Sequence, residues 1–443
     1  LRPEAFCFRV GGMTLPEFWR LPVRDGVDIL AGLESGGLRR PERLVVEEIS
    51  SRLGYLKSVG LGYLALDRQS RTLSGGEVER VNLTAALGAS LVDTLFVLDE
   101  PSIGLHARDN ARLLEILRQV RDCGNTVVVV EHDPEIIAAA DHVIDMGPGS
   151  GSAGGEVVAA GNLAAITASE ASLTGAYLRG ERQVAGPARE RRKTSASRCL
   201  RIKGARENNL GGLNVDIPVD VFTAVSGVSG SGKSSLLHQV LWRHWQREQG
   251  LAIDGNVLVD SIEGLELVDE IVLVDQSPIG KTPRGNPATY TKVFDRIRKL
   301  FAATDEAREA GFDAGCFSFN VEGGRCEECK GAGMIQVEMQ FLSDVTLSCE
   351  SCDGRRFRRE VLGIRYRDRN IHEVLRLTID DAALFFGHEE KLAETLSFLS
   401  SLGLGYLRLG QPINTLSGGE AQRLKLAARV LRARRGGRLL FLL

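Results

Sequence analysis

The stretch GVSGSGKSS, residues 227–235, follows the apolar run FTAVS (222–226) and leads into SLLHQVL (235–241). It fits G-x-x-x-x-G-K-S, and the surrounding pattern predicts a strand, a glycine turn and a helix. The glycines at 227, 230 and 232, with Ser229 and Ser231 between them, let backbone amides close around phosphate oxygens. Lys233 is placed to reach the outer phosphates, Ser234 to ligate magnesium through its hydroxyl, and Ser235 to open the helix whose N-terminus faces the anion. This reading makes the chain an α/β protein with a phosphate site at a sheet edge.

The chain is also a repeat. GLGYLALDRQSRTLSGGEVER (60–80) returns without a gap as GLGYLRLGQPINTLSGGEAQR (403–423). More loosely, LRPEAFCFRVGGMTLPEF (1–18) resembles FRREVLGIRYRDRNIHEV (357–374), at a slightly different spacing. Between the copies, GERQVAGPARERRKTSASR (180–198) is polar, basic and without apolar periodicity, so 180–199 is expected to be a linker between halves spanning 1–179 and 200–443. Beyond it, CLRIKGARENNLGGLNVDIPVDVF (199–222) reads as short alternating strands.

The 55 basic and 58 acidic residues leave a net charge of −3, so any anionic partner must meet a local basic patch. No apolar run approaches the roughly 20 residues of a membrane span, and the first ten residues lack the plan of a signal peptide. These features predict a cytoplasmic protein with no membrane partner. Cys7, Cys123, Cys199 and Cys316 are scattered, whereas Cys326, Cys329, Cys349 and Cys352 form two tight pairs.

In the first half, TLFVLDEPSIGLH (94–106) is an apolar strand ending in two carboxylates. Asp99 is suited to holding magnesium through water, and Glu100 to polarising an attacking water. GNTVVVVEHD (124–133) predicts a second strand delivering His132 to the same sheet edge. The pentapeptide LSGGE occurs at 73–77 and 416–420. Ser74, Gly75 and Gly76, and likewise Ser417, Gly418 and Gly419, present a hydroxyl and bare amides to an anion at a helix start. A plain N-cap with a following glutamate accounts for either copy alone.

CEECKGAGMIQVEMQFLSDVTLSCESC (326–352) has the spacing of a closed tetrahedral zinc site, structural rather than catalytic, with Cys326, Cys329, Cys349 and Cys352 as ligands in a module of about 316–357. Glycines in KGAG and CDGR suit turns that aim amides at sulfur. RRFRREVLGIRYRDR (355–369) sets seven arginines against Glu360 and Asp368, with Phe357 and Tyr366 interleaved. It reads equally as a nucleic-acid contact or as a solvated strand face.

Together these motifs resemble the ATP-binding cassette ATPases, whose sites join the phosphate loop of one cassette to the LSGGE of another. By that resemblance Gln276, in IVLVDQSPIG (271–280), shares magnesium with Ser234, and His132 is the switch histidine. A zinc module between Gln276 and the second LSGGE is more specific. With DQSPIGKTPRGNPATYT (275–291), FSFNVEGGRCEECKGAG (317–333) and LDEPSIGLH (98–106), the whole chain resembles the UvrA family of bacterial nucleotide excision repair, paralogues included.

The resemblance implies two partial cassettes with helical signature subdomains, and ATP, Mg2+ and structural Zn2+ as cofactors. It also implies homodimerisation on damaged double-stranded DNA, with Lys281, Arg284, Arg355 and Arg356 as candidate contacts, and a UvrB-like partner met through a region before Leu1. The first half's own phosphate loop and zinc module are expected there too. At the other end LFLL (440–443) matches LFVL (95–98), which places the counterpart of Asp99 at position 444. The chain is therefore expected to bind nucleotide weakly and to turn it over negligibly. Two alternatives remain: a paralogue serving drug or damage tolerance, and a non-hydrolysing zinc-containing fragment that binds DNA or protein. One departure is Glu79, where the second copy has Gln422.

Overall fold

The computed structural model describes all residues except 1–5, 10, 35–38, 71–72, 74, 89–91, 104, 184–190, 229, 254, 276–278, 281, 283, 338–344 and 434–436. In both halves a helix breaks at the first glycine of GLGYL. Arg40–Leu56 runs into the wide turn Lys57–Leu61, where Gly60 adopts φ 80°. Glu390–Leu399 runs into Ser400–Leu404, where Gly403 adopts φ 73°. A Cβ disfavours this left-handed backbone, so glycine is what permits the break.

The bonds that follow are also duplicated. Val23 donates to the Leu64 carbonyl at 2.8 Å and Arg24 to that of Gly62 at 3.0 Å; Ile379 donates to Leu407 at 2.8 Å and Asp380 to Gly405 at 3.0 Å. The two halves thus share one backbone frame across the change of spacing. Longer helices in the first half, Val23–Glu34 and Arg40–Leu56 against Ile379–Phe385 and Glu390–Leu399, take up the extra residues.

Eleven strands are assigned among the described residues. In the first half β1 (Leu95–Asp99) and β2 (Thr126–Val130) pair in parallel, from Leu95 opposite Thr126 to Asp99 opposite Val130. Helix Ala107–Asp122 connects them and packs Leu113, Ile116, Leu117 and Val120 toward Phe96, Leu98, Val127 and Val129. Parallel strands this apolar are usually covered on both sides, but here Val97, Val128 and Val130 are exposed on the second face. β3 (Val143–Gly147) and β4 (Glu156–Gly161) form an antiparallel hairpin.

In the second half β5 (Cys199–Ala205) lies between β6 (Leu213–Pro218) and β7 (Ser261–Glu263), antiparallel to both. β8 (Glu270–Leu273) pairs in parallel with β11 (Leu439–Leu442), while β9 (Met334–Val337) and β10 (Val345–Ser348) form a hairpin. The helix after the phosphate loop, Ser235–Trp242 continuing as Arg243–Glu248, buries Leu236, Val240, Leu241 and Trp245 against Leu200, Ile202, Ile271 and Leu442. The largest core joins the zinc module to the helices of the second half, its signature helix included, through Phe301, Phe317, Phe319, Phe357, Phe386, Leu396 and Leu424.

Two expectations need correction. FTAVS (222–226) is not a strand: no neighbouring strand among the described residues gives it a ladder, and Phe222 is 92% exposed. β5 begins at Cys199, inside the span expected to be linker, because Cys199 already pairs with Pro218 of β6.

Candidate nucleotide site and metal centre

The phosphate loop owes its shape to its glycines. Gly227, Gly230 and Gly232 have φ of 152°, 75° and 98°. A Cβ at Gly232 would lie 2.8 Å from Leu210 and 3.0 Å from Asn209 Oδ1. Lys233 folds back, its Nζ donating to the carbonyls of Gly227 at 2.7 Å and Val228 at 3.0 Å. Two residues that sequence reasoning passed over brace the loop: Asn209 Nδ2 donates to the Gly230 carbonyl at 2.9 Å, and Asn208 Nδ2 to Ser235 Oγ at 3.0 Å. Their signal was the NN pair in RENNLGG, polar residues in a turn between two strands. Ser229 and Gln276 lie outside the described residues. Asp275, just before Gln276, receives Lys425 Nζ from the second signature helix, Gly418–Ala433.

The first half reaches this loop. The ring of Tyr63 lies on Gly230, where a Cβ would sit 2.9 Å from Cδ1. The Tyr63 hydroxyl donates to Oε1 of Glu77, the glutamate of the first LSGGE, which is buried in the first turn of helix Gly75–Gly88. Gly75 and Gly76 open that helix, and Ser74 lies outside the described residues. In the second copy Tyr406 donates to Glu420 in the same way. There Ser417 and Glu420 form a reciprocal cap: the Ser417 amide donates to Oε2 at 2.7 Å and the Glu420 amide to Oγ at 3.3 Å. Gln422, the counterpart of Glu79, donates to the Val274 carbonyl at 3.4 Å.

Asp99 ends β1 and Glu100 follows it at φ 47°, its amide donating to the Val130 carbonyl at 2.8 Å. His132 Nε2 lies 3.6 Å from Glu100 Oε1. The neighbouring Glu131 holds this edge together, accepting from the amides of Ser102 and His132 at 2.9 Å and Asp133 at 3.3 Å. Burial works against its ionisation, but the donors of Ser102, His132 and Asp133 prevail and keep its pKa below the ordinary carboxylate value. No hydrogen bond or ion pair among the described residues joins Lys233 to Asp99, Glu100 or His132.

The four paired cysteines converge. Cys326 and Cys349 Sγ are 3.9 Å apart, Cys329 and Cys352 3.7 Å, and all four sulfurs lie within 4.8 Å of one another. A tetrahedral zinc with Zn–S of about 2.3 Å requires edges of ~3.8 Å, so this buried set fits the ion. The knuckle amide of Gly333 donates to Cys329 Sγ at 3.2 Å. Gly331, at φ 81°, leaves no room for a Cβ, which would meet the Phe319 carbonyl oxygen at 2.0 Å. Burial opposes ionisation of Cys326, yet backbone amides of Cys329 and Glu328 pull it down to about 7, whereas burial pushes Cys352 up to about 12.

Known proteins share this arrangement over the full chain. It is 50% identical over 448 residues to the UvrABC system protein A of Micrococcus luteus, and 49% over 447 residues to that of Aquifex aeolicus. Each alignment covers all of this chain and 45% and 48% of the relative. The crystal structure of UvrA2 from Deinococcus radiodurans superposes with a TM-score of 0.90 at 41% identity, over all of this chain and 54% of that one. The chain belongs to the UvrA family. It spans about half the length of the curated relatives it matches. No protein-family model matches it.

Within this UvrA-family chain the arginine-rich stretch departs from the strand-face reading. Residues 355–369 are not a strand; they contain the short helix Arg359–Gly363 and a turn closed by Tyr366 and Arg369. Phe357 is in the core, and Tyr366 packs among Phe301, Phe385 and Phe386. Arg356, expected at a DNA surface, is only 8% exposed; its Nη2 donates to the Gly410 carbonyl at 3.2 Å and its guanidinium lies 5.5 Å from the Phe319 ring centre. It is a buried tie between the knuckles and the helical core. The reason is local: Arg356 itself takes φ 72°, which turns the side chain inward beside Gly333. Arg355 stays half exposed, paired with Asp353 at 3.1 Å. Arg284 borders a cavity of about 530 Å³ with Asn320 and Ala332, and Lys281 lies outside the described residues. No helix among the described residues is long and apolar enough to cross a membrane.

Proposed function

We propose that this chain carries part of the ATP-driven machinery of a damage-recognition subunit of nucleotide excision repair, with a composite ATP site built from both halves. The observation that carries the reading is the contact of Tyr63 with Gly230. It sets the first signature, through Glu77, beside the second half's phosphate loop. ATP with magnesium occupies that loop, held by Lys233, Ser234 and Gln276 with Ser74, Gly75 and Gly76 opposite. Asp99, Glu100 and His132 serve a second site of the same kind, with Ser417, Gly418 and Gly419 as its facing signature. The zinc module anchors the DNA-facing surface, on which Arg355 and Arg284 are the better candidates now that Arg356 is accounted for. In the assembled protein, two copies act on damaged duplex and pass it to a UvrB-like partner.

The reading is tested by measuring ATP binding and turnover of the chain, with and without damaged duplex. Nucleotide binding lost on Lys233→Ala, together with little turnover, supports it. Robust hydrolysis abolished by Glu100→Gln contradicts it, because Glu100 and Lys233 share no contact.

A further inference from the structure

We infer that Tyr63 is a positioning residue acting between the halves: it reports occupancy of the second half's phosphate loop to the first signature helix. The inference deepens the composite-site reading and rests on it. Gly230 is gripped from two sides. Asn209, from its own half, holds its carbonyl at 2.9 Å, and the ring of Tyr63, from the other half, covers its Cα so closely that a Cβ would lie 2.9, 3.0 and 3.1 Å from Cδ1, Cε1 and Cγ.

At φ 75° this glycine belongs to the part of the loop whose amides must turn toward a phosphate. Any such turn presses on, or withdraws from, the ring that packs against Gly230. The other end of the ring is also fixed. Its hydroxyl donates to Glu77 Oε1, and Glu77 Oε2 has Arg68 Nη2 at 3.8 Å. Glu77 is buried in the first turn of helix Gly75–Gly88, so a displacement of the ring is passed to the start of that helix and not dissipated in solvent.

The repeat supplies an internal control. Tyr406 makes the same bond to its own signature glutamate, Glu420, and it too crosses to the other half, where a Cβ at Gly151 would lie 2.7 Å from its Cβ. Gly151, however, lies between β3 and β4 and not in a phosphate loop. The two tyrosines are alike in chemistry and differ in what they touch.

Hydrogen exchange read by mass spectrometry on this chain, with and without the ATP analogue ATPγS and magnesium, tests the inference. Nucleotide should slow exchange at 230–236 and, through Tyr63, at 75–88. Tyr63→Phe keeps the ring and removes the hydroxyl; it should retain protection at 230–236 and lose at least half of that at 75–88. Tyr406→Phe should retain both. Full protection of 75–88 in Tyr63→Phe, equal loss in Tyr406→Phe, or no effect at 75–88 in the unsubstituted chain overturns the inference alone. Absence of protection at 230–236 in the unsubstituted chain overturns the nucleotide reading and the inference together.

Discussion

Lys233 Nζ donates to the Gly227 carbonyl at 2.7 Å, so the lysine that should reach a phosphate is satisfied by its own loop. A nucleotide must replace these neutral acceptors with charged phosphate oxygens, so that the ammonium donor gains an ionised partner. Ligand binding to the native state alone raises its stability. ATPγS with magnesium should therefore raise the melting temperature of the chain, and Lys233→Ala should remove the increase while leaving the nucleotide-free melting temperature within a degree or two. Differential scanning fluorimetry measures both.

The zinc set is tested by metal content and by stability. The chain should carry one zinc, and a double variant, Cys326→Ser with Cys349→Ser, should lose it. Phe317, Phe319 and Phe357 flank the knuckles and sit in the largest core, so the loss should destabilise that whole region. A fall in melting temperature of several degrees is expected, since structural zinc contributes directly to folding. Retention of one equivalent by the double variant would refute the ligand assignment.

Arg355 and Arg356 are neighbours with opposite expected phenotypes. Arg356→Ala removes a buried hydrogen bond and a cation–π contact and should cost about 1–3 kcal/mol of stability, with duplex affinity unchanged in the remaining folded protein. Arg355→Ala should be neutral in stability, because its ion pair with Asp353 is exposed. If it meets phosphate, it weakens duplex binding and flattens the salt dependence by about one ion. Chemical denaturation alongside a salt titration of DNA binding separates the two.

Glu131 makes the edge that carries Glu100 and His132 sensitive to acid. Its native pKa lies below the ordinary value of 4.5, so its ionised form favours the folded state. That contribution is complete above pH 4.5 and is lost as pH falls through the depressed native value. Amide exchange at Ser102, His132 and Asp133, corrected for its intrinsic pH dependence, should accelerate in that acidic window. In Glu131→Gln it should already be faster at neutral pH, because an amide offers one oxygen acceptor where the carboxylate offered two.

How far the sequence could be read depended on whether its signals were local. The phosphate loop, the GLGYL breaks and the cysteine spacing depend on residues close in the chain, and the glycine conformations at Gly60, Gly230, Gly331 and Gly403 follow from them. What failed was non-local. FTAVS has the composition of a strand but no ladder partner among the described residues. Arg356 and Tyr366 look like surface residues in a basic run until the fold turns them into an aromatic core. Nor does any spacing reveal that Tyr63 touches Gly230, across more than a third of the chain, or that Asn209 steadies the same glycine from a turn.

The central claim is that the first signature and the second half's phosphate loop form one ATP site. Calorimetric titration with ATPγS and magnesium of the chain, Gly76→Asp and Gly419→Asp tests it most directly. A carboxylate in the facing signature repels the phosphates and removes a charge-assisted contact, so Gly76→Asp should weaken binding about tenfold or more. Gly419→Asp, in the same half as the phosphate loop, should bind as the unsubstituted chain does. Equal affinity for all three, or a loss confined to Gly419→Asp, would contradict the account.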